Sequence, residues 1–314
     1  MEPNRVPFQV SAERWLIVGC GYVGAQVARR AREAGHVVYG LTRSQSRFSE
    51  LQSLGVEPCL GHWLEPQSLV NLPDVDRILV AVPHRADDSW SASGETIDGE
   101  NAKLVERTHA IGLQNLLAAI PTGWQKLVYL STTGVYGVSS AGWVDEQTPL
   151  SPTRAGPRIA VAAEQWLTES LASRLVEGQS FCILRLAGIY GPGRIPLADR
   201  LRRGQPLAVP REGYLNLVHV SDIARMLCLL LGSSYPHSTY LFSDGRPVLR
   251  ETFYRHLAKL CGVPAPEFIE PDQHDAKVRR ATDKRISPRR ILAETGFEFE
   301  FPDYRSGLIN ALGG

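Results

Sequence analysis

The first residues whose types and spacing could do chemistry are glycines. Gly19-Cys20-Gly21-Tyr22-Val23-Gly24 has the G-x-G-x-x-G pattern. In it the first glycine allows a tight turn, the second lets backbone approach a pyrophosphate, and the third lets a helix pack closely on a strand. Gly19, Gly21, Tyr22, Val23 and Gly24 are thus candidate cofactor-binding residues, and free N–H groups of the helix N-terminus would bind the anion. The plain alternative is a strand that merely turns into a helix. About 20 residues further on, such a site uses a carboxylate to hold the adenosine ribose. Here the segment reads "VVYGLTRSQSR", with Thr42, Arg43 and Ser44 in place of an acid. A guanidinium flanked by hydroxyls suits a 2′-phosphate, and so NADP(H) rather than NAD(H). The competing reading makes Arg43 a solvated loop residue.

Those residues need a strand before them and a helix behind. Trp15 to Val18 is an apolar run, and Tyr22 to Ala34 has the spacing of a helix packed on a sheet. Further strands are predicted at Val37 to Leu41, Val56 to Leu60, Arg77 to Val82, Lys126 to Ser131 and Phe181 to Leu186, with helices clearest at Asn101 to Ile120 and Ile159 to Leu175. This alternation predicts an α/β fold, a doubly wound parallel sheet covered on both faces. His62, Ala81, Val82 and Pro83, at the ends of the third and fourth strands, join the expected cofactor surface. Pro83 to Gly99 reads as a long polar loop, either a lid or an ordinary connection. Gly134 to Pro157 is punctuated by Pro, Gly and Ser. "GIYGPG", Gly188 to Gly193, leaves the sixth strand at the carboxyl edge of the sheet, where open α/β folds bind ligands. Residues 1–190 are expected to form the nucleotide-binding part. Residues 191–314 are expected to form a smaller substrate lobe, with parts of the later chain returning to the first.

Composition narrows the class. The chain has 314 residues, 43% hydrophobic and 21% charged, with a formal net charge of +1 and pI near 7.7. That balance provides no electrostatic reason for a nucleic-acid or membrane partner. The basic runs Lys277 to Arg280 and Lys284 to Arg290 read as solvated helix faces. With no signal-peptide pattern and no apolar run of spanning length, a soluble cytoplasmic protein is expected. The five cysteines are scattered and read as buried reduced thiols, with packing the expected role of Cys20. The eight histidines show no metal-ligand spacing, so no metal is expected.

Several motifs together resemble the extended and atypical short-chain dehydrogenase/reductases, the NAD(P)-dependent epimerase/dehydratase-like family. "LVYLSTTGVYG" (Leu127 to Gly137) is similar to its fifth-strand motif and "ILRLAGIYGPGR" (Ile183 to Arg194) to its sixth. "LNLVHVSDIARML" (Leu215 to Leu227) matches the segment leading to the substrate lobe, and "DKRISPRRILAETGFEFEFPDYRSGL" the closing helix and strand. The resemblance covers most of the chain and implies a Rossmann-type sheet. G-x-G-x-x-G, where extended members use G-x-x-G-x-x-G, places the chain nearer the atypical members.

The family's chemistry relies on a Ser/Thr, a Tyr acid/base and a Lys four residues later that lowers the phenol pKa. Thr132, four residues before Tyr136, matches the Ser/Thr, and Ser131 beside it belongs with cofactor binding. Counting back from Glu164 in "SPTRAGPRIAVAAEQWL" puts Gly156 at the Tyr place and Ala160 at the Lys place, and neither transfers a proton. No Tyr lies between Tyr136 and Tyr190, and no Lys between Lys126 and Lys259. Substitute proton carriers are Tyr136, Tyr190 and His219, or water held by Thr132, with Arg158 a candidate for the lysine's charge. Each of these has a packing role as its alternative. Two functions stay open: an NADP(H)-dependent oxidoreductase or epimerase-like enzyme on a small polar metabolite, or a non-catalytic NADP(H)-binding sensor. The resemblance also implies a possible homodimer through a four-helix interface of Asn101 to Ile120 and Ile159 to Leu175.

Overall fold

The computed structural model describes residues 12–84, 99–137, 140–269 and 283–313. Five strands open the chain, β1 (Arg14–Val18), β2 (Val37–Thr42), β3 (Glu57–Leu60), β4 (Arg77–Val80) and β5 (Lys126–Thr132). They are followed by β6 (Ser140–Val144), β7 (Ser180–Leu186), β8 (Gly188–Tyr190), β9 (Leu207–Ala208), β10 (Tyr214–Leu215), β11 (Leu217–His219), β12 (Thr239–Phe242), β13 (Val248–Leu249), β14 (Phe268–Ile269) and β15 (Asp283–Ile286). The central sheet has seven strands in the order β12-β7-β5-β4-β1-β2-β3, all parallel. The order reverses between β1 and β4, the switch point outside whose strand ends α/β folds bind ligands.

The strands are nearly continuous apolar runs because helices cover both faces. On one face α1 (Tyr22–Glu33) and α7 (Val220–Gly232) bury Val23, Val27, Ala28, Ile223, Ala224 and Leu227 against Ile17, Val128 and Leu184. On the other, α4 (Thr108–Ala119) and α5 (Ala155–Gln165) bury Leu113, Leu116 and Ala163 against Leu16, Ile78, Leu127 and Ile183. A third core surrounds Tyr190 with Phe253, Tyr254 and Leu257 of a helix at Arg250–Cys261 and Leu308 of another at Tyr304–Leu312. β8, the opening "GIY" of "GIYGPG", pairs with β11 outside the main sheet, while β12 returns to its edge.

Several expectations are corrected. The helix read from Asn101 to Ile120 is two helices, α3 (Gly99–Glu106) and α4, parted at Arg107. The Ile159 to Leu175 helix starts earlier, at Ala155, and after Gln165 widens into a π-helical turn at Trp166–Leu171 before a 3-10 turn. The Gly134 to Pro157 connection contains strand β6, paired with β15. Lys284 to Arg290 is not a solvated helix face, because Asp283–Ile286 is strand and Lys284 is 2% exposed. Cys20 and Cys182 are buried, and Cys59, Cys228 and Cys261 are only partly buried; all five are free thiols. Residues 85–98 of the expected polar loop and the run Lys277 to Arg280 lie outside the described residues. No helix among the described residues is long and apolar enough to cross a membrane.

Candidate cofactor-binding and active site

The glycine turn divides its labour as the pattern requires. Gly19 has φ +88°, and a Cβ there would meet the Ala81 carbonyl at 2.8 Å and Val82 N at 2.9 Å, so the turn packs against the end of β4. A Cβ at Gly24 would lie 2.7 Å from Gly19 O, which fixes how closely α1 approaches β1. At Gly21 an added Cβ meets nothing within 4 Å. Two glycines therefore serve the packing, and Gly21 keeps the ligand side open. Gly21 is the N-cap of α1 and no side chain caps the helix, which leaves its first-turn N–H groups and dipole for an anion. Burial pushes the Cys20 thiol up to about 11, consistent with packing and not reactivity.

Next to this turn lies the end of β2. Arg43 and Ser44 are exposed, Thr42 is buried, and Ser44 N donates to Thr42 Oγ1 at 3.3 Å. Ser44 Oγ lies 2.6 Å from Ser46 Oγ. Arg43 acts electrostatically on His62 at the end of β3, which burial, with that charge, holds below the ordinary histidine range. Arg47, absent from the sequence reading, donates from Nη2 to Cys20 O at 3.0 Å and is also held by Glu50. It therefore carries a second guanidinium to the glycine turn. These groups fit a dinucleotide whose pyrophosphate lies on α1.

The end of β5 is organised by a buried ionic network. Arg185 on β7 donates from Nε to both carboxylate oxygens of Glu164 (3.1 and 3.2 Å), from Nη2 to Oε2 (2.6 Å) and from Nη1 to the Tyr136 hydroxyl (2.6 Å). Ser131 donates its hydroxyl to Glu164. Tyr136, 2% exposed, has its phenol pushed up to about 12 by burial, which outweighs the neighbouring Arg185. Its carbonyl accepts from the Lys284 ammonium. That ammonium is lowered to about 8 by burial and the charge of Arg154. Thr132 Oγ1 accepts from Gly134 N at 3.0 Å and closes the turn after β5.

Of the sequence-predicted proton carriers, Tyr190 and His219 meet edge-on with ring centroids 5.2 Å apart, while Tyr136 belongs to the Arg185 network. Tyr190 is fully buried in the lobe core, donates to Asp303 O at 3.3 Å, and its phenol is raised by burial and by Asp244, Asp222 and Asp303. His219 caps α7 by accepting from Ser221 N at 3.2 Å and stacks near Phe301, and burial lowers its pKa. Arg158, the candidate for the family lysine's charge, is paired with Glu106 of α3 at 2.6 Å. At Gly156 a Cβ would meet His84 O at 2.6 Å, so backbone after β4 crowds the place aligned with the family's tyrosine. Ala160 is fully buried among Val135, Tyr136, Leu241 and Ile286. Cations do stand at the strand end, but they come from Arg185 and Lys284. Arg185 had a legible signal, an arginine inside an apolar strand that must find a carboxylate. Lys284, 148 residues from Tyr136, had none.

The model of the NAD dependent epimerase/dehydratase family matches residues 15–240. The chain belongs to that family. Protein YeeZ of Escherichia coli K12 is 28% identical over 290 residues, 91% of this chain and 96% of that protein. A conserved protein of unknown function from Silicibacter pomeroyi is 27% identical over 95% of this chain and 97% of its own, with TM-score 0.70. The Bordetella bronchiseptica enzyme WbmG, solved in complex with NAD, is 18% identical over 98% of this chain and 94% of its own, with TM-score 0.75; this shows a shared fold.

Proposed function

We propose that this protein binds NADP(H) across the carboxyl ends of β1, β2, β4 and β5 and acts as an atypical oxidoreductase or epimerase-like enzyme on a small polar metabolite. The observation that carries the cofactor choice is the exposed Arg43, flanked by Ser44 and Ser46, at a β2 end that itself has no carboxylate, with Arg47, which Glu50 pairs, at the glycine turn beside it. Gly19, Gly21, Tyr22, Val23 and Gly24 hold the pyrophosphate. Thr42, Arg43 and Ser44 with His62 hold the phosphorylated ribose. Ala81, Val82, Pro83 and Ser131 line the path towards the nicotinamide. The bound nicotinamide supplies hydride transfer. Thr132 faces the substrate end as a hydrogen-bonding group, and residues 191–314 contribute the substrate lobe. A homodimer through α3, α4 and α5 is part of the same reading.

The test is calorimetry of NADP+ and NAD+ against the parent and Arg43→Asp. The parent should prefer NADP+, and the variant should lose on the order of 1 to 3 kcal/mol of that preference, the value of a charge-assisted pair. Equal affinities in the parent sink the assignment. The crowding of Gly156 and Ala160 favours a second reading, a non-catalytic NADP(H) sensor. NADPH absorbance followed with a panel of carbonyl compounds separates the two, since only an enzyme consumes cofactor.

A further inference from the structure

Three aromatic rings next to the place of the missing tyrosine form a continuous hydrogen-bonded chain. His84 Nε2 lies 2.8 Å from the Tyr129 hydroxyl, His109 Nδ1 lies 2.9 Å from the same oxygen, and His109 Nε2 lies 3.3 Å from Pro83 O. The imidazoles stack at 4.6 Å, and both meet Tyr129 edge-on. The Pro83 carbonyl can only accept, so His109 carries its proton on Nε2, and its Nδ1 accepts the Tyr129 proton. The Tyr129 oxygen then accepts His84 Nε2–H, which leaves the lone pair of a neutral His84 on Nδ1. His84 is also the residue whose backbone approaches Gly156, with its Cβ 3.7 Å from where a Cβ at 156 would lie.

Resting on the NADP(H) reading above, we propose that His84 is the catalytic acid/base that takes over from the family's tyrosine, with Tyr129 and His109 as its positioning relay. In the oxidative direction a secondary alcohol loses its carbon-bound hydrogen as hydride, with two electrons, to the oxidised nicotinamide. Its hydroxyl proton goes to His84 Nδ1. The Nε2 proton of His84 passes to the Tyr129 oxygen, and the Tyr129 proton passes to His109 Nδ1, so the positive charge ends on His109 while a carbonyl forms. Reduction runs the same transfers backwards after the neutral relay has taken up one proton from solvent on His109. The groups facing the relay are Tyr129 from β5, His109 from α4 and, acting on Tyr129, Glu164 of α5, which Arg185 already pairs. Trp63 meets His109 edge-on and adds no charge. Burial keeps both imidazoles below the ordinary histidine range, His84 at about 4, so the relay starts neutral at physiological pH.

The experiment uses the full chain in two arms. Nitrogen-15 NMR of the imidazoles, without cofactor, should show protonated Nε2 and unprotonated Nδ1 on both histidines at pH 6 to 7. A charged imidazole or an Nδ1–H tautomer of His84 overturns the proposal. In the second arm, turnover is followed with NADPH and 4-nitrobenzaldehyde or glyceraldehyde, and with NADP+ and UDP-glucose. His84→Gln should lose at least 100-fold in kcat with cofactor affinity unchanged. Activity of His84→Gly should return with added imidazole, and Tyr129→Phe should shift the pH profile. If the parent turns over and His84→Gln matches it, the relay is wrong and the NADP(H) reading stands. If the parent binds NADPH but uses none of the probes, the enzymatic reading itself falls, and the relay with it.

Discussion

Glu164→Leu removes the carboxylate at the centre of the buried network and leaves the Arg185 guanidinium at 6% exposure without its counter-ion. Glu164 accepts three hydrogen bonds from Arg185 and one from Ser131. Stranding a buried charge costs about 3 to 5 kcal/mol, and Arg185→Met, which strands Glu164, should cost a similar amount. The double variant removes both charges together. What remains are the Ser131 and Tyr136 hydroxyls without their partners, about 1 to 3 kcal/mol for a buried polar group. The double variant should therefore lose roughly 2 to 6 kcal/mol, below the 6 to 10 kcal/mol of simple addition. Urea unfolding of the four proteins at pH 7 measures this cycle. A single-variant cost below about 1 kcal/mol, or strict additivity, would refute the claim that one interlocked ion pair holds the end of β5.

Gly21→Val should keep the parent's melting temperature while abolishing NADP(H) binding, whereas Gly24→Val, pressed against Gly19 O, should destabilise the fold; cofactor binding retained in a folded Gly21→Val protein would make the turn purely structural. His84 and His109 are held neutral by burial, so the unfolded chain takes up protons that the folded one refuses. Stability is then full above the unfolded pKa near 6.5 and falls with acidification, by up to about 2 kcal/mol per histidine at pH 5. A flat stability between pH 7 and 5 would contradict this. Lys284, lowered to about 8, carries its full cost below pH 8 and sheds it as pH rises towards 10.5. Lys284→Met should therefore stabilise the protein at pH 7 by about 1 to 2 kcal/mol after the lost hydrogen bond to Tyr136 O is counted, and a destabilised variant in thermal unfolding would show that the ammonium is needed there.

The glycine turn, the strand that feeds it and the helix behind it were legible in the chain because their determinants are local. Gly19 must adopt a positive φ, Gly24 must admit a strand at contact distance, and both constraints act within one turn of backbone. The parallel sheet was legible for a similar reason, since strands buried on both faces read as unbroken apolar runs. The absence of any Tyr between Tyr136 and Tyr190, and of any Lys between Lys126 and Lys259, could also be read. Which side chains gather at the strand ends instead depends on contacts between distant segments that no spacing encodes. Arg185 meets Glu164 only when β7 lies beside β5 and α5 crosses their face. His84 meets Tyr129 because β4 pairs with β5, and His109 joins them from α4. Lys284, which looked like surface charge, is drawn under Tyr136 when β15 pairs with β6, and Arg158 is paired with Glu106 of α3. A side chain's ionisation and role follow from its burial and its neighbours, and in this protein those are set by the sheet order and the packing of its helices.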